Sequence, residues 1–362
     1  MRVSGIRSSG LYEAVRGLVV AVLLLVGPSP LAQSLPATIE INAVGDVLLA
    51  RGIQRQVEKY GEKYPFEKVT EALSGADLVF GNLENPLTDN CKKAEKKYSL
   101  QARPRYAEIL RAASFDVLSL ANNHSLDCGS RGLLETIDNL EKEDLRWLGA
   151  GRSKDDENTP VYLEINEIKL AFLGFTDVSP GKLAEGSPRV AFANHENITS
   201  SIKVALQRAD VIIVSFHWGT EYAARPNAEQ IRFADAAVAA GADVVLGHHP
   251  HVLQGFQLVT RSNGGSPAIV AYSLGNFLFD SPVKLNRRVG ESVLLKLQVG
   301  KHGLVAAEAV PIIIENYRPV FADGINRNQI LARLNRLSGD FNTGLENGYL
   351  TSKKGNTVEN AK

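Results

Sequence analysis

Apolar residues in this chain fall into short runs that alternate with segments of helical periodicity. Between residues 38 and 280 the strand-like runs are 39–44, 78–80, 117–120, 170–175, 211–216, 244–246 and 269–273. Most are continuous rather than alternating and rich in Val, Ile, Leu and Phe, the pattern of strands covered on both faces. Amphipathic stretches lie between them at 129–142, 194–208 and 228–240, the last with Asn227 placed to cap it and Gly241 to close it. Strand-helix alternation predicts an α/β layered fold, in which ligands sit beyond the carboxyl ends of the strands.

After residue 280 the pattern changes. Segments 292–299 and 306–314 read as an antiparallel pair joined near Lys301-His302-Gly303, followed by a helix-like stretch at 327–337. The chain thus divides into a main domain at 38–280 and C-terminal strands and a helix at 281–338. Residues 339–362 are polar, contain Gly and Asn, and read as a flexible tail.

The N-terminus has a different logic. Arg2, Arg7 and Arg16 give a basic start, and the apolar run 18–26 is too short to span a bilayer alone. That combination reads as a signal peptide, with Ala32-Gln33-Ser34 offering small residues for cleavage. No cysteine lies nearby to carry a lipid anchor, and an uncleaved N-terminal anchor over 1–34 is the alternative. Either way the chain is expected to be exported, to the periplasm or the outer face of the cytoplasmic membrane.

Charge adds little. Lys plus Arg and Asp plus Glu balance at 40 each, and no basic block or aromatic-basic ladder argues for nucleic acid as a partner. Cysteine adds more. Cys91 and Cys128 are the two cysteines of the chain, and an even count in an exported protein points to a disulfide. A bridge there would tie together the loops that follow Glu84 and His124.

The chemistry-bearing residues lie at the ends of the strand-like runs. Five of the seven histidines fall in Asn122-Asn123-His124, His217-Trp218-Gly219 and Gly247-His248-His249-Pro250-His251. Gly45-Asp46 and Gly81-Asn82-Leu83-Glu84 have the same placement. Carboxylate, amide and imidazole groups gathered at strand ends are the materials of a metal-centred hydrolytic site. Asp46 could bind a cation or cap the helix beginning near Ile53. Asn123 could offer an amide oxygen to a metal, or its motif could be an Asx-type loop that shapes the turn. His124 could donate a proton to a leaving group, with Asp127 orienting its ring. His249 and His251 are two apart, so on an extended segment, favoured by Pro250, their side chains share one face. Glu221 follows His217 closely and, with Arg103 and Arg225, each before a proline, forms a substrate-binding set in which the arginines clamp an anion. A solvated or core-capping role for either arginine is equally consistent. Ser273-Leu274-Gly275-Asn276-Phe277 follows the last strand-like run, and its backbone could line the site.

In this order the motifs resemble the CapA family of bacterial capsule-synthesis proteins associated with poly-γ-glutamate. That family in turn resembles the calcineurin-like metallophosphoesterases, which implies a four-layer α/β/β/α sandwich with a dinuclear metal site. The resemblance makes Asp46 a ligand of the first metal and Glu84 the bridging carboxylate. Asn123, His217 and His249 would bind the second metal, His251 would return to the first, and His124 would be the general acid. His248 also follows a glycine, so the register of the last motif can be read one residue earlier. Metallophosphoesterases carry Asp-x-His at the first strand, whereas here Asp46 is followed by Val47-Leu48, and Glu84 stands in for a bridging Asp.

The implied protein is an exported capsule biosynthesis protein with a metal-dependent, phosphoesterase-like hydrolase site. One or two divalent ions (Mn, Zn or Fe) would activate water against an anionic polymer or phosphoester substrate. Two other readings remain: a non-catalytic polymer-binding or assembly subunit partnering a membrane synthase, and a periplasmic metallophosphatase unrelated to capsule.

Overall fold

The structure, a computed structural model, describes residues 37–91, 97–153, 156–181, 189–261, 265–280 and 287–353. The expected signal or anchor at 1–34 and the end of the expected tail at 354–362 lie outside the described residues. Among the described residues no helix is long and apolar enough to cross a membrane.

The first apolar run becomes the strand Thr38–Val47, the centre of a ten-stranded sheet. On one side it pairs in parallel with Leu78–Leu83, which leads on to Val117–Ser119 and Arg146–Leu148, all parallel. On its other side it pairs antiparallel with Glu291–Gly300, which pairs with Gly303–Glu315. The C-terminal pair therefore belongs to the same sheet as the first strand. A second sheet of six strands runs Phe256–Val259, Ala268–Ala271, Val244–His248, Val211–His217, Ile168–Thr176 and Val161–Ile165. Its four central strands are parallel and its two edges antiparallel.

Three apolar clusters define the layers. Ile39, Ile41, Phe80 and Leu295 of the large sheet pack with Phe172, Ile213, Val244 and Ile269 of the small one, so the sheets face each other. Val44, Val79 and Leu118 point the other way, onto Ile53, Leu110 and Ile137 of helices Gly52–Tyr60, Tyr106–Ala112 and Gly129–Lys142. Leu173, Val214 and Val245 do the same onto Ile198, Ile202 and Ala234 of helices His195–Ala205 and Ala228–Ala240. This is the expected α/β/β/α sandwich. Strand residues pointing both ways into apolar layers explain the unbroken apolar runs. The expected cap is present as well: Asn227 and Gln230 form a reciprocal capping box.

The flexible tail is corrected by the structure. After the helix Gly324–Gly339, residues Thr343–Glu346 and Tyr349–Ser352 form a hairpin. Leu345 and Leu350 pack against the inner core, and the Leu258 N–H donates to Thr343 Oγ1 at 2.9 Å. Two leucines among polar residues are enough to hold a hairpin, but too sparse to read as a strand pair in the sequence.

One segment joins the two sheets where their parallel strands end. The Leu274 N–H donates to Gly247 O at 3.0 Å, and the Asp46 N–H donates to Gly275 O at 3.0 Å. A Cβ at Gly45 would lie 1.9 Å from Gly275 O, and one at Gly247 would lie 2.1 Å from Tyr272 O. Only glycine admits this crossing strand at both places. It brings the carboxyl ends of Thr38–Val47 and Val244–His248 to a common point.

Candidate metal centre

Asp46 and Asn82 occupy opposed positions on neighbouring strands of the large sheet, and His217 and His248 do so in the small sheet. Glu84, Asn123, His249 and His251 lie just past their strands. All five site residues with carboxylate or imidazole ligand atoms (Asp46, Glu84, His217, His249, His251) are buried. Three overlapping groups have ligand atoms within 4.8 Å of one another: Glu84–His217–His249, Asp46–Glu84–His251 and the more exposed Glu221–His249–His251. Glu221, expected near substrate, thus stands at the rim of the cluster. His248 lies in none of these groups, so His249 and His251 are the imidazoles that converge.

Asp46 does not cap a helix: Gly52–Tyr60 begins at Arg51 with no side-chain cap. Its carboxylate instead accepts from Asn82 Nδ2 at 2.8 Å and from the His249 N–H at 3.3 Å. His251 Nδ1 lies 3.3 Å from Asp46 Oδ2 and 2.9 Å from Asn276 Oδ1. Both neighbours are acceptors, so Nδ1 carries a proton and Nε2 is turned toward Glu84, 3.8 Å away. A carboxylate or amide behind a histidine in this way fixes its ring for metal binding.

Burial pushes the Asp46 carboxyl up, but the hydrogen bond and charge of His251, with His248 and Asn82, outweigh it and hold it below its ordinary range. Burial pulls His251 down, but Glu84 and Asp46 overcome it and raise the ring to about 9. Glu84 is pushed well up by burial and by the Asp46 charge. Burial lowers His248 and His249 to about 4, His249 with help from His251. Burial and the neighbouring imidazoles hold His217 well below its ordinary value.

The second half is arranged by asparagines. Asn82 Nδ2 lies 3.3 Å from His217 Nδ1, so that nitrogen accepts and Nε2 faces Asn123 Oδ1 at 2.9 Å. Asn122 accepts the His124 N–H at 3.0 Å, which is the turn-shaping role, while Asn123 next to it reaches the cluster. His124 Nδ1 lies 2.8 Å from Asp127 Oδ2, and the same oxygen accepts the Leu100 N–H at 2.6 Å. Cys91 and Cys128 are disulfide-bonded, clasping the segment before Leu100 to the residue after Asp127.

The extended geometry expected around Pro250 does not occur. His249 has φ 93° and His251 φ 57°, so the chain turns through left-handed conformations. The strand ends at His248, and the turn brings both rings back over it, with centroids 5.8 Å apart. Such backbone costs about 1–3 kcal/mol per residue and persists where surrounding contacts enforce it. Here the His249 N–H bond to Asp46 and the Leu253–Leu274 bridge do so.

Among the described residues, no contact brings Arg103 or Arg225 to the cluster. They pair with Glu58 and Asp340 on exposed surface, each at 2.9 Å. A cation near the site is Arg51, which sequence reasoning passed over because a lone arginine after an apolar run carries no signal. Asn82 and Asn276 were also missed as partners of Asp46 and His251, although both sit inside motifs that had drawn notice.

With this geometry, the comparisons with known proteins are specific. The family described as Bacterial capsule synthesis protein PGA_cap matches residues 40–281. The chain belongs to this capsule synthesis family. It is 36% identical over 315 residues to the PGA biosynthesis protein CapA of Bacillus subtilis (strain 168), covering 85% of this chain and 80% of that one. To the capsule biosynthesis protein CapA of Bacillus anthracis it is 33% identical over 330 residues, 88% of this chain and 76% of that one. A probable polyglutamine synthesis accessory protein of Mycobacterium tuberculosis is 23% identical over 227 residues, covering 58% and 60%. A solved structure, a hypothetical protein from Thermus thermophilus, aligns at TM-score 0.42 and 19% identity, over 78% of this chain and 96% of that one.

Within this capsule synthesis protein, the departure at residue 48 is now physical. Leu48 is fully buried in the apolar layer under the helices. Buried imidazoles beside Asp46 come instead from the end of Val244–His248 and the turn after it, with His248 Nδ1 3.6 Å and His251 Nδ1 3.3 Å from its carboxylate.

Proposed function

We propose that this member of the capsule synthesis family is an exported protein with a divalent-metal, hydrolase-type site acting on an anionic capsular polymer or a phosphoester. One observation carries the metal. Both carboxylate oxygens of Glu84 and Nδ1 of His249 are buried without a hydrogen-bond partner among the described residues. Buried polar atoms are normally satisfied, and leaving a carboxylate unmatched is costly. A cation among Glu84, His217 and His249, and among Asp46, Glu84 and His251, resolves the cost. The mixed carboxylate and imidazole donors suit Mn, Zn or Fe.

A bound ion would supply positive charge against a substrate oxygen and make nearby water more acidic. The chain's own residues do the rest. Asp127 holds the His124 ring by Nδ1, which leaves Nε2 as the atom that exchanges a proton with substrate. Asp46 and Asn276 hold the proton on Nδ1 of His251. Asn82 keeps the His217 ring oriented.

The test is metal analysis of the purified protein beside a His249→Ala/His251→Ala double variant. Bound divalent metal in the first and near-zero occupancy in the second is the expected result. Equal, near-zero occupancy in both would sink the proposal. Export is supported by the apolar run at 18–26 and by the disulfide, which belongs to oxidising compartments. Recovery of the full-length, reduced protein from the cytoplasmic fraction alone would contradict it.

A second reading has its own support in Leu48, which puts no imidazole where metallophosphoesterases have one. On that reading the site recognises polymer for a membrane synthase without turning it over, in keeping with the accessory role in the mycobacterial relative's name. Assays with a phosphodiester and a γ-glutamyl substrate, with added Mn²⁺ or Zn²⁺, separate the two, since a pure binder gives no turnover.

A further inference from the structure

Arg51 reaches the metal centre through Phe279, in a setting that a merely solvated arginine would not need. It has φ 53°, a left-handed conformation that non-glycine residues seldom adopt. Its guanidinium lies over the Phe279 ring, 5.5 Å from the centroid, and that ring packs 5.0 Å from His251. Asp280 fixes the arrangement from below, bonding Arg51 Nη2 and accepting the Gly52 N–H at 3.0 Å. The remaining guanidinium nitrogens have no hydrogen-bond partner among the described residues, and the side chain is 36% exposed. Tyr222, also left-handed at φ 64° and exposed, has its ring centroid 6.1 Å from that of His251. Arg51 lies near enough to Glu84 and Tyr222 for its charge to act on both.

We propose that Arg51 receives a two-oxygen anionic group of the substrate, carboxylate or phosphate, and sets it beside the ions held by Glu84 and His251. A planar guanidinium stacked on an aromatic ring and anchored through one nitrogen presents its other N–H groups as a fixed fork. The anchoring by Asp280 lowers the entropy lost on binding. The inference rests on the metal-centre reading and adds the substrate's point of attachment.

Calorimetric titration of the Mn²⁺-treated full chain with inorganic phosphate and with a γ-linked glutamate oligomer tests it, metal content being measured separately. Arg51→Met is expected to keep wild-type metal content and to lose about tenfold or more in affinity for the probe that wild type binds. Arg51→Lys recovers only part, because a point charge cannot replace the fork. Asp280→Asn keeps the guanidinium but loosens its anchor, so its affinity is expected to fall between those of wild type and Arg51→Met, and a wild-type melting temperature in Arg51→Met guards against a folding artefact. Loss with phosphate alone assigns the position to a phosphoester; loss with the oligomer alone assigns it to polymer carboxylate. Arg51→Met binding like wild type, or wild type binding neither probe, overturns the inference. Absence of metal from wild type, by contrast, overturns the metal centre itself.

Discussion

The Asp46 end and the Glu84 end of the site sit on adjacent strands, and both carboxylates are fully buried. They are built differently. Asp46 is met by Asn82, the His249 N–H and the protonated Nδ1 of His251, which Asn276 also holds. Glu84 has no hydrogen bond to either oxygen among the described residues, and its neighbours His217 and His251 approach no nearer than 3.8 Å. Two carboxylates of equal burial can thus serve different ends. Asp46 organises the protein around itself, whereas Glu84, on the proposed reading, is the carboxylate kept for a cation.

That contrast breaks most sharply under mutation. Asp46→Ala leaves the charged His251 ring buried without the carboxylate beside its Nδ1 and is expected to destabilise the metal-free protein by about 3–5 kcal/mol in chemical denaturation. Glu84→Gln removes no hydrogen bond and is expected to cost less than about 1 kcal/mol, while abolishing metal binding as fully as the first. Equal losses of stability in the two variants would erase the distinction.

A catalytic role separates His124 from both. Its replacement by Ala is expected to lower turnover about 10²- to 10⁴-fold with metal content unchanged, measured at saturating Mn²⁺. A fall in metal content of the same size would make His124 a ligand rather than a proton carrier.

The same contrast has a pH signature in the metal-free protein. His251 stands at about 9 against an ordinary 6.5, so its stabilising contribution is complete below 6.5 and is lost as pH rises through 9. The raised Glu84 acts in the same direction. His248 and His249 stand at about 4, so the unfolded chain takes up protons first and stability is lost as pH falls from 6.5 toward 4. The melting temperature of the metal-free protein should therefore peak near neutrality and decline on both sides. Metal should flatten the alkaline decline, since a ligating imidazole has already released its proton there. A flat metal-free profile from 6.5 to 9 would contradict the Asp46–His251 ion pair.

The smallest effects belong to Arg103 and Arg225. Their surface pairs with Glu58 and Asp340 are worth less than about 1 kcal/mol each. Replacing either by Ala should leave metal content and turnover unchanged, in contrast to Arg51.

How much of this was legible in the sequence follows from the same physics. Strands covered on both faces announced themselves as unbroken apolar runs, and the helices at 129–142 and 228–240 have the ends that their periodicity gave. The antiparallel edges, such as Val161–Ile165 and the hairpin after residue 342, were missed because one face is solvated and the apolar signal is diluted. At the site, the strand-end motifs had singled out Asp46, Glu84, Asn123, His217, His249 and His251, residues that the fold brings together. The asparagines behind them were harder to read, because an amide's role depends on what the fold sets opposite it. The left-handed turn at His249 and His251 was illegible for another reason: Pro250 restrains only the residue before it, and long-range bonds to Asp46 and Leu274 decided the rest.

The central claim is that the two sheets converge on a metal held by Glu84 with His217 and His249, extending toward Asp46 and His251. Anomalous-difference diffraction from crystals soaked in Mn²⁺ tests it most directly. The expected result is a strong peak in contact with Glu84 and at least one of His217, His249 and His251, lost in Glu84→Gln crystals soaked alike. No peak in that cluster at saturating Mn²⁺, or the same peak in the variant, would contradict it.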